Sequence, residues 1–162
     1  IWNNKNQITS DTIKFNLNGE YVEEMKLSKN SFIISQDTLG NFNQIKGRNM
    51  DATFINNTLD KINVYGNGET IYFGLNEDLN SIIGLNYIIC SDLRMNFSEN
   101  ELENIIFYKN PRAKMIPPHE ITNDDLYLTQ FKWREEEIPK IQDVVYYFRK
   151  KIYLRDDSKV KN

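Results

Sequence analysis

One spacing pattern recurs three times along this chain and sharply restricts what it can fold into. Three alternating apolar residues are followed by a four-residue interval. Apolar residues then return after steps of three and two, and an asparagine stands three further on. The first copy is Ile13, Phe15, Leu17, Val22, Met25, Leu27 and Asn30; the second is Met50, Ala52, Phe54, Leu59, Ile62, Val64 and Asn67. Leu93, Met95, Phe97, Leu102, Ile105, Phe107 and Asn110 form the third. An acid follows the fourth apolar position each time, as Glu23, Asp60 and Glu103. Copies about 40 residues apart are what stacked supersecondary units produce.

The leading triplets have period two, which places their side chains on one face of a strand and Lys14, Asp51 and Arg94 on the other. Asn18-Gly19, Asn56-Asn57 and Glu99-Asn100 carry turn chemistry, so each copy reads as a half-buried hairpin. Further strands are expected at Phe32 to Ser35, Thr70 to Phe73, and Ile82 to Cys90 running on toward Phe97. Asn67-Gly68 and Leu39-Gly40-Asn41 mark their boundaries. The fold class predicted is all-β, a repeat-built antiparallel meander of short strands. Its β-repeat domain spans 1–118, and a C-terminal extension, 119–162, packs on or follows it.

Pro117-Pro118 ends the pattern, because proline cannot donate to a ladder. Beyond it, 123–140 is mixed and acidic. Ile141, Val145, Phe148 and Ile152 follow helical spacing after Pro139, while Val144 to Phe148 has strand propensity. A short helix or an extended tail is expected there, with 156–162 fraying.

The 162 residues suffice for one core without staples, and no apolar run approaches a membrane span. With 20 basic against 23 acidic residues the net charge is −3, which argues against a duplex nucleic-acid binder. Catalytic chemistry is poorly represented. The only histidine, His119, follows the proline pair and reads as an exposed loop residue. The lone Cys90 is out of phase with Leu93, Met95 and Phe97, which puts a small residue on the less buried face of its strand or under the tail. Asp124-Asp125 and Glu135-Glu136-Glu137 lack the spacing of a calcium loop. Gly66-Asn67-Gly68 lacks the Lys-Ser/Thr of a phosphate loop, and Arg149-Lys150-Lys151 reads as a solvated face. Neither a metal nor a cofactor is expected, and the chain reads as a non-enzyme. The repeated acids read as part of the hairpins.

The stretch Gln44-Ile45-Lys46-Gly47-Arg48-Asn49-Met50-Asp51-Ala52-Thr53-Phe54, the hairpin to Val64, and Gly66-Asn67-Gly68-Glu69-Thr70-Ile71-Tyr72-Phe73 resemble the OstA-like, LptA-type proteins of lipopolysaccharide transport in Bacteroidetes-type bacteria. Trp2, Gln7-Ile8-Thr9, Cys90-Ser91-Asp92, Pro111, Met115-Ile116-Pro117 and Phe131-Lys132-Trp133 agree with that resemblance over roughly residues 1–140. Ile138-Pro139 departs from the expected Arg-Pro pair. The resemblance implies a periplasmic, outer-membrane-associated β-jellyroll, folded like a taco, that shields lipopolysaccharide acyl chains between sheets. It also implies pairing through edge strands with other Lpt-type envelope proteins or head to tail with itself. The implied lipid groove takes Ile13, Phe15 and Leu17 from the first copy, and Met50, Phe54, Ile62 and Val64 from the second. Leu93, Met95, Phe97, Ile105 and Phe107 come from the third. A competing expectation is a non-lipid periplasmic scaffold that binds partners by its edges. A glycan hydrolase is a third class, supported only by the abundance of carboxylates.

Overall fold

The computed structural model describes residues 1–3, 5–98 and 101–138. The expected tail helix, the fraying end, Arg149-Lys150-Lys151, Pro139 and the Glu99-Asn100 turn lie outside the described residues.

The chain is all-β. Its strands are β1 (Trp2–Asn3), β2 (Asn6–Thr9), β3 (Thr12–Asn18), β4 (Tyr21–Gln36), β5 (Phe42–Ile55), β6 (Thr58–Leu75), β7 (Ile82–Ser98), β8 (Glu101–Tyr108) and β9 (Arg112–Ile116). They form one antiparallel sheet in the order β1-β2-β4-β5-β6-β7-β8, with β3 also paired to β4 and β9 to β7. Four long strands thus make the centre; β2 and β3 lie end to end along β4 with β1 outside β2, and β8 and β9 lie end to end along β7. Among the described residues the outermost strands do not pair with one another, so the sheet is open. Among the described residues the only helical turns are three short 3-10 segments, at Pro118–Glu120, Asn123–Asp125 and Glu135–Glu137.

Short strands were expected, and the central ones are long instead: β4, β5, β6 and β7 have 16, 14, 18 and 17 residues. The returning arm of each early hairpin runs straight into the next strand candidate. Of the two expected boundaries, Leu39-Gly40-Asn41 lies in the turn between β4 and β5, whereas Asn67-Gly68 belongs to a corner within the continuous β6. Lys29 and Asn30 have φ of 64° and 50°, Gly66 and Asn67 have 73° and 57°, and Lys109 and Asn110 have 57° and 58°. The asparagine closing each sequence copy is therefore the second residue of a left-handed pair, a conformation that Asn tolerates better than most residues. Each pair sits where the ladder changes register, between Ser28 and Ser31 in β4 and between Tyr65 and Gly68 in β6. The third pair separates β8 from β9, both of which lie against β7.

Hairpin turns follow the sequence closely. Asn56 and Asn57, with φ of 51° and 64°, form the two-residue loop between Ile55 and Thr58, as a primed turn requires. In the first hairpin the loop is Gly19-Glu20, one residue later than expected, because Asn18 pairs with Tyr21. The three-residue step of the motif also has a structural cause. Asn16 pairs with Glu24 and Leu17 with Val22, leaving Glu23 as the extra residue of a bulge. Asp60 is extra in the second hairpin, between Lys61 and Leu59, and Glu103 in the third, between Asn104 and Leu102. A three-residue step would turn the next apolar side chain to the wrong face; one bulged residue restores it. The recurring acid is that residue. Glu23 also accepts a hydrogen bond from Asn18 Nδ2 at 2.8 Å across the turn.

Two apolar clusters result. The first gathers the repeat positions around Met50, Val64 and Leu93, and it also takes in Ile33, Ile8 and Ile45 from beyond the corners. The second comprises Phe32, Ile34, Ile71, Phe73, Leu85, Ile116 and Leu128. Phe32 and Ile34 alternate with Ile33, so β4 feeds opposite faces of the sheet beyond its corner. Ile121, Leu126, Phe131 and Trp133 close the second cluster as an extended strap.

Candidate apolar binding face

Antiparallel pairing brings the repeat positions into three cross-strand rows. Row one is Ile13, Leu27, Met50, Val64, Leu93 and Phe107; row two is Phe15, Met25, Ala52, Ile62, Met95 and Ile105. Row three comprises the pairs nearest the turns, Leu17 with Val22, Phe54 with Leu59, and Phe97 with Leu102. All twelve residues expected in the groove thus fall in these rows. Ten of them pack in the first cluster, and Phe15 and Leu17, at the free edge on β3, do not.

Burial is graded along the strands. Met50, Ala52 and Val64 are at 0% exposure, whereas Phe54, Leu59, Phe97 and Leu102 are half-buried and Leu17 is 64% exposed. Near the corners the face is packed core; near the turns it is open. The pairs nearest the turns thus leave several large apolar side chains partly open to solvent at one end of the face. The reverse face is polar, with Lys26, Asp51, Asn63 and Arg94 in one row. Arg94 Nε donates to Asn63 Oδ1 at 2.8 Å.

Side chains from neighbouring strands tie the corners down. Lys29 N–H donates to Asn49 Oδ1 at 3.0 Å, and Gly66 N–H donates to Asp92 Oδ1 at 3.0 Å. Lys109 Nζ reaches the other oxygen of Asp92 at 2.9 Å. The Lys109 contact, followed by the Gly66 amide, holds the Asp92 carboxyl below the usual range. Gly47 is required beside the second corner, since a Cβ there would collide with Val64 Cγ1.

Cys90 corrects the sequence reading. It is buried at 5% exposure in the first cluster with Leu93 and Met95, because β7 passes the corner opposite Gly66 and Asn67 and changes phase there. Burial, and then nearby Asp92, raises its thiol pKa. Such a thiol is a core residue and a poor nucleophile. His119 is exposed, with Glu120 Oε1 at 3.7 Å. Asp125 accepts from the Thr122 hydroxyl and amide, and Glu137 lies 3.5 Å from Arg134. Among the described residues no group of His, Cys, Asp and Glu is placed to hold a metal.

Sequence reasoning missed the device that fixes the strap. Gln44, at 0% exposure, donates through Nε2 to Leu126 O at 2.8 Å and accepts from Leu128 N–H at 2.8 Å. Gln7, also buried, donates to Lys132 O at 2.7 Å and accepts from Arg134 N–H at 2.8 Å. Each amide side chain thus imitates a neighbouring peptide, giving the strap the ladder bonds it would otherwise lack. Trp133 adds ring contacts at 4.8 Å to both Trp2 and Phe42. The available signal was a glutamine at a buried strand phase, beside Phe42 and Ile45.

Compared with known proteins, the chain matches no family model and no curated protein.

Proposed function

We propose that this chain is a non-catalytic binding or conduit module for lipopolysaccharide or a similarly acylated envelope lipid, working in the periplasm in outer-membrane biogenesis. The observation that carries this reading is the registered apolar face, graded from closed at the corners to open at the turns. Acyl chains would lie along row three, against Phe54, Leu59, Phe97 and Leu102, with Leu17 and Phe15 at one end. Each methylene removed from water contributes about 0.8 kcal/mol, so several chains can be held without a specific polar contact. Lysines and arginines at the rim would meet the phosphates. The finer architecture we propose is the taco-like jellyroll of the OstA-like, LptA-type family. Supporting it, residues on both sides of the corner line share the first cluster.

Partners would add at the edges. Among the described residues the β3 and β8 edges each leave one side of a strand unpaired. A second copy setting its β3 beside β8 would continue rows one and two without a step, from Phe107 and Ile105 to Ile13 and Phe15.

Full burial of Met50, Ala52 and Val64 favours the second reading, a filled β-scaffold that binds through its edges without lipid. Native mass spectrometry of protein purified from bacterial envelopes separates the two. Co-purified lipid A-type species that disappear from folded Phe54→Asp and Phe97→Asp variants are expected. Delipidated protein that takes up no acylated lipid would overturn the conduit reading.

A further inference from the structure

A polar hollow of about 380 Å³ lies at the corner line, walled by Lys29, Asn30, Lys46, Arg48, Asn67 and Gln130 among others. Lys46 and Glu69 alternate with Ile45 and Thr70, so the hollow opens on the side away from the first apolar cluster. Its charge runs against that of the chain. Three cations meet there in a protein of net charge −3, and among the described residues the one carboxylate in the wall, Glu69, is engaged by Lys46 at 3.1 Å. Among the described residues neither Lys29 nor Arg48 has a carboxylate partner. Lys46 keeps ammonium hydrogens beyond the one given to Glu69. Asn30, Asn67 and Gln130 bring neutral amides to the same wall. Gln130 comes from the strap, presented by a turn in which Phe131 N–H bonds to Leu128 O at 3.0 Å.

We propose that this hollow binds the phosphate group of a phosphate monoester. Cations from separate strands with amide donors between them match a dianion carrying several acceptor oxygens. The volume exceeds what a bare phosphate fills, a water's share being about 30 Å³, and so admits part of the ester's own body. Sugar 1-phosphates and phosphorylated headgroups both have this chemistry. The site is on the opposite side from the three rows, so it stands or falls independently of acyl binding.

The test titrates the full chain with glucosamine 1-phosphate, inorganic phosphate, and phosphatidylcholine vesicles with and without phosphatidic acid, at fixed ionic strength. Amide shifts and calorimetry are the readouts. Expected are shifts confined to the corner residues, sugar ester binding at least tenfold tighter than inorganic phosphate, and a tenfold loss in Lys29→Gln/Arg48→Gln. The control Lys5→Gln/Lys14→Gln, of equal charge change, should lose less than twofold. Equal binding of both soluble probes would overturn the monoester assignment. Stronger binding to phosphatidic acid vesicles, with the same dependence on Lys29 and Arg48, would assign it to a headgroup. Equal losses in the two double variants, or binding to vesicles alone that ignores Lys29 and Arg48, would overturn it. Circular dichroism confirms that the variants fold.

Discussion

Replacing Gln44 by leucine should be among the most damaging single changes in the protein, although it exchanges a polar residue for an apolar one in a buried place. The leucine fills similar space at a site of 0% exposure, so little apolar contact is lost. What it removes is the bond pair to the strap, at 2.8 Å to Leu126 O and 2.8 Å from Leu128 N–H. A buried backbone group left without a partner costs about 1–3 kcal/mol. With two groups orphaned, a loss of about 2–5 kcal/mol follows after allowing for partial relaxation. Urea unfolding measures the global change, and hydrogen exchange at the Leu128 amide measures the local one, which should rise by orders of magnitude. The isosteric Gln44→Glu gives a sharper contrast. Its carboxylate can accept from Leu128 N–H but meets Leu126 O without a proton, so burial raises its folded pKa above the unfolded value near 4.3. Stability should therefore approach wild type below about pH 4 and fall by up to about 1.4 kcal/mol per pH unit above it. A Gln44→Leu protein within about 0.5 kcal/mol of wild type, with Leu128 still protected, would refute the idea that the side-chain amide serves as a ladder partner.

Other expectations follow from the same geometry. Met50→Ala should cost about 2–5 kcal/mol by denaturant unfolding, whereas Leu17→Ala should cost under about 1 kcal/mol, since one is core and the other rim. Gly47→Ala should destabilise by about 1–3 kcal/mol, and adding Val64→Ala should recover part of that, because the collision is with the Val64 methyl; a double-mutant cycle reads the coupling. Asp92 contributes stability that is present above its unfolded pKa near 3.9 and is lost as pH falls through its lower folded value. An Asp92→Asn protein should accordingly show a flatter acid limb in its stability profile. Cys90 should resist thiol reagents at pH 8 until the protein unfolds, with stopped-flow labelling tracking unfolding.

Much of the first cluster was legible because strand periodicity exposes one face and the hairpins repeat it. The twelve groove positions entered the rows as a set, since pairing in each hairpin is fixed by short turns and one bulge. Cys90 was misplaced because a strict period of two was carried through a corner where the phase changes. The corner asparagines were visible, yet a lone Asn or an Asn-Gly reads as a strand end when nothing reveals that the ladder resumes beyond it. Gln7 and Gln44 were invisible for another reason. Their partners lie 125 and 82 residues away, and a bond between a side chain and a peptide leaves no periodic trace.

The left-handed corners have a bearing on how such a chain can change over generations. Ile33 stands six residues past Leu27, while Ile45 stands only five before Met50, yet all four side chains reach one cluster. Odd and even separations are reconciled at the bend, which acts as a joint between two independently phased arms. A single-residue insertion there would be absorbed locally, whereas the same insertion within an arm would invert every side chain beyond it.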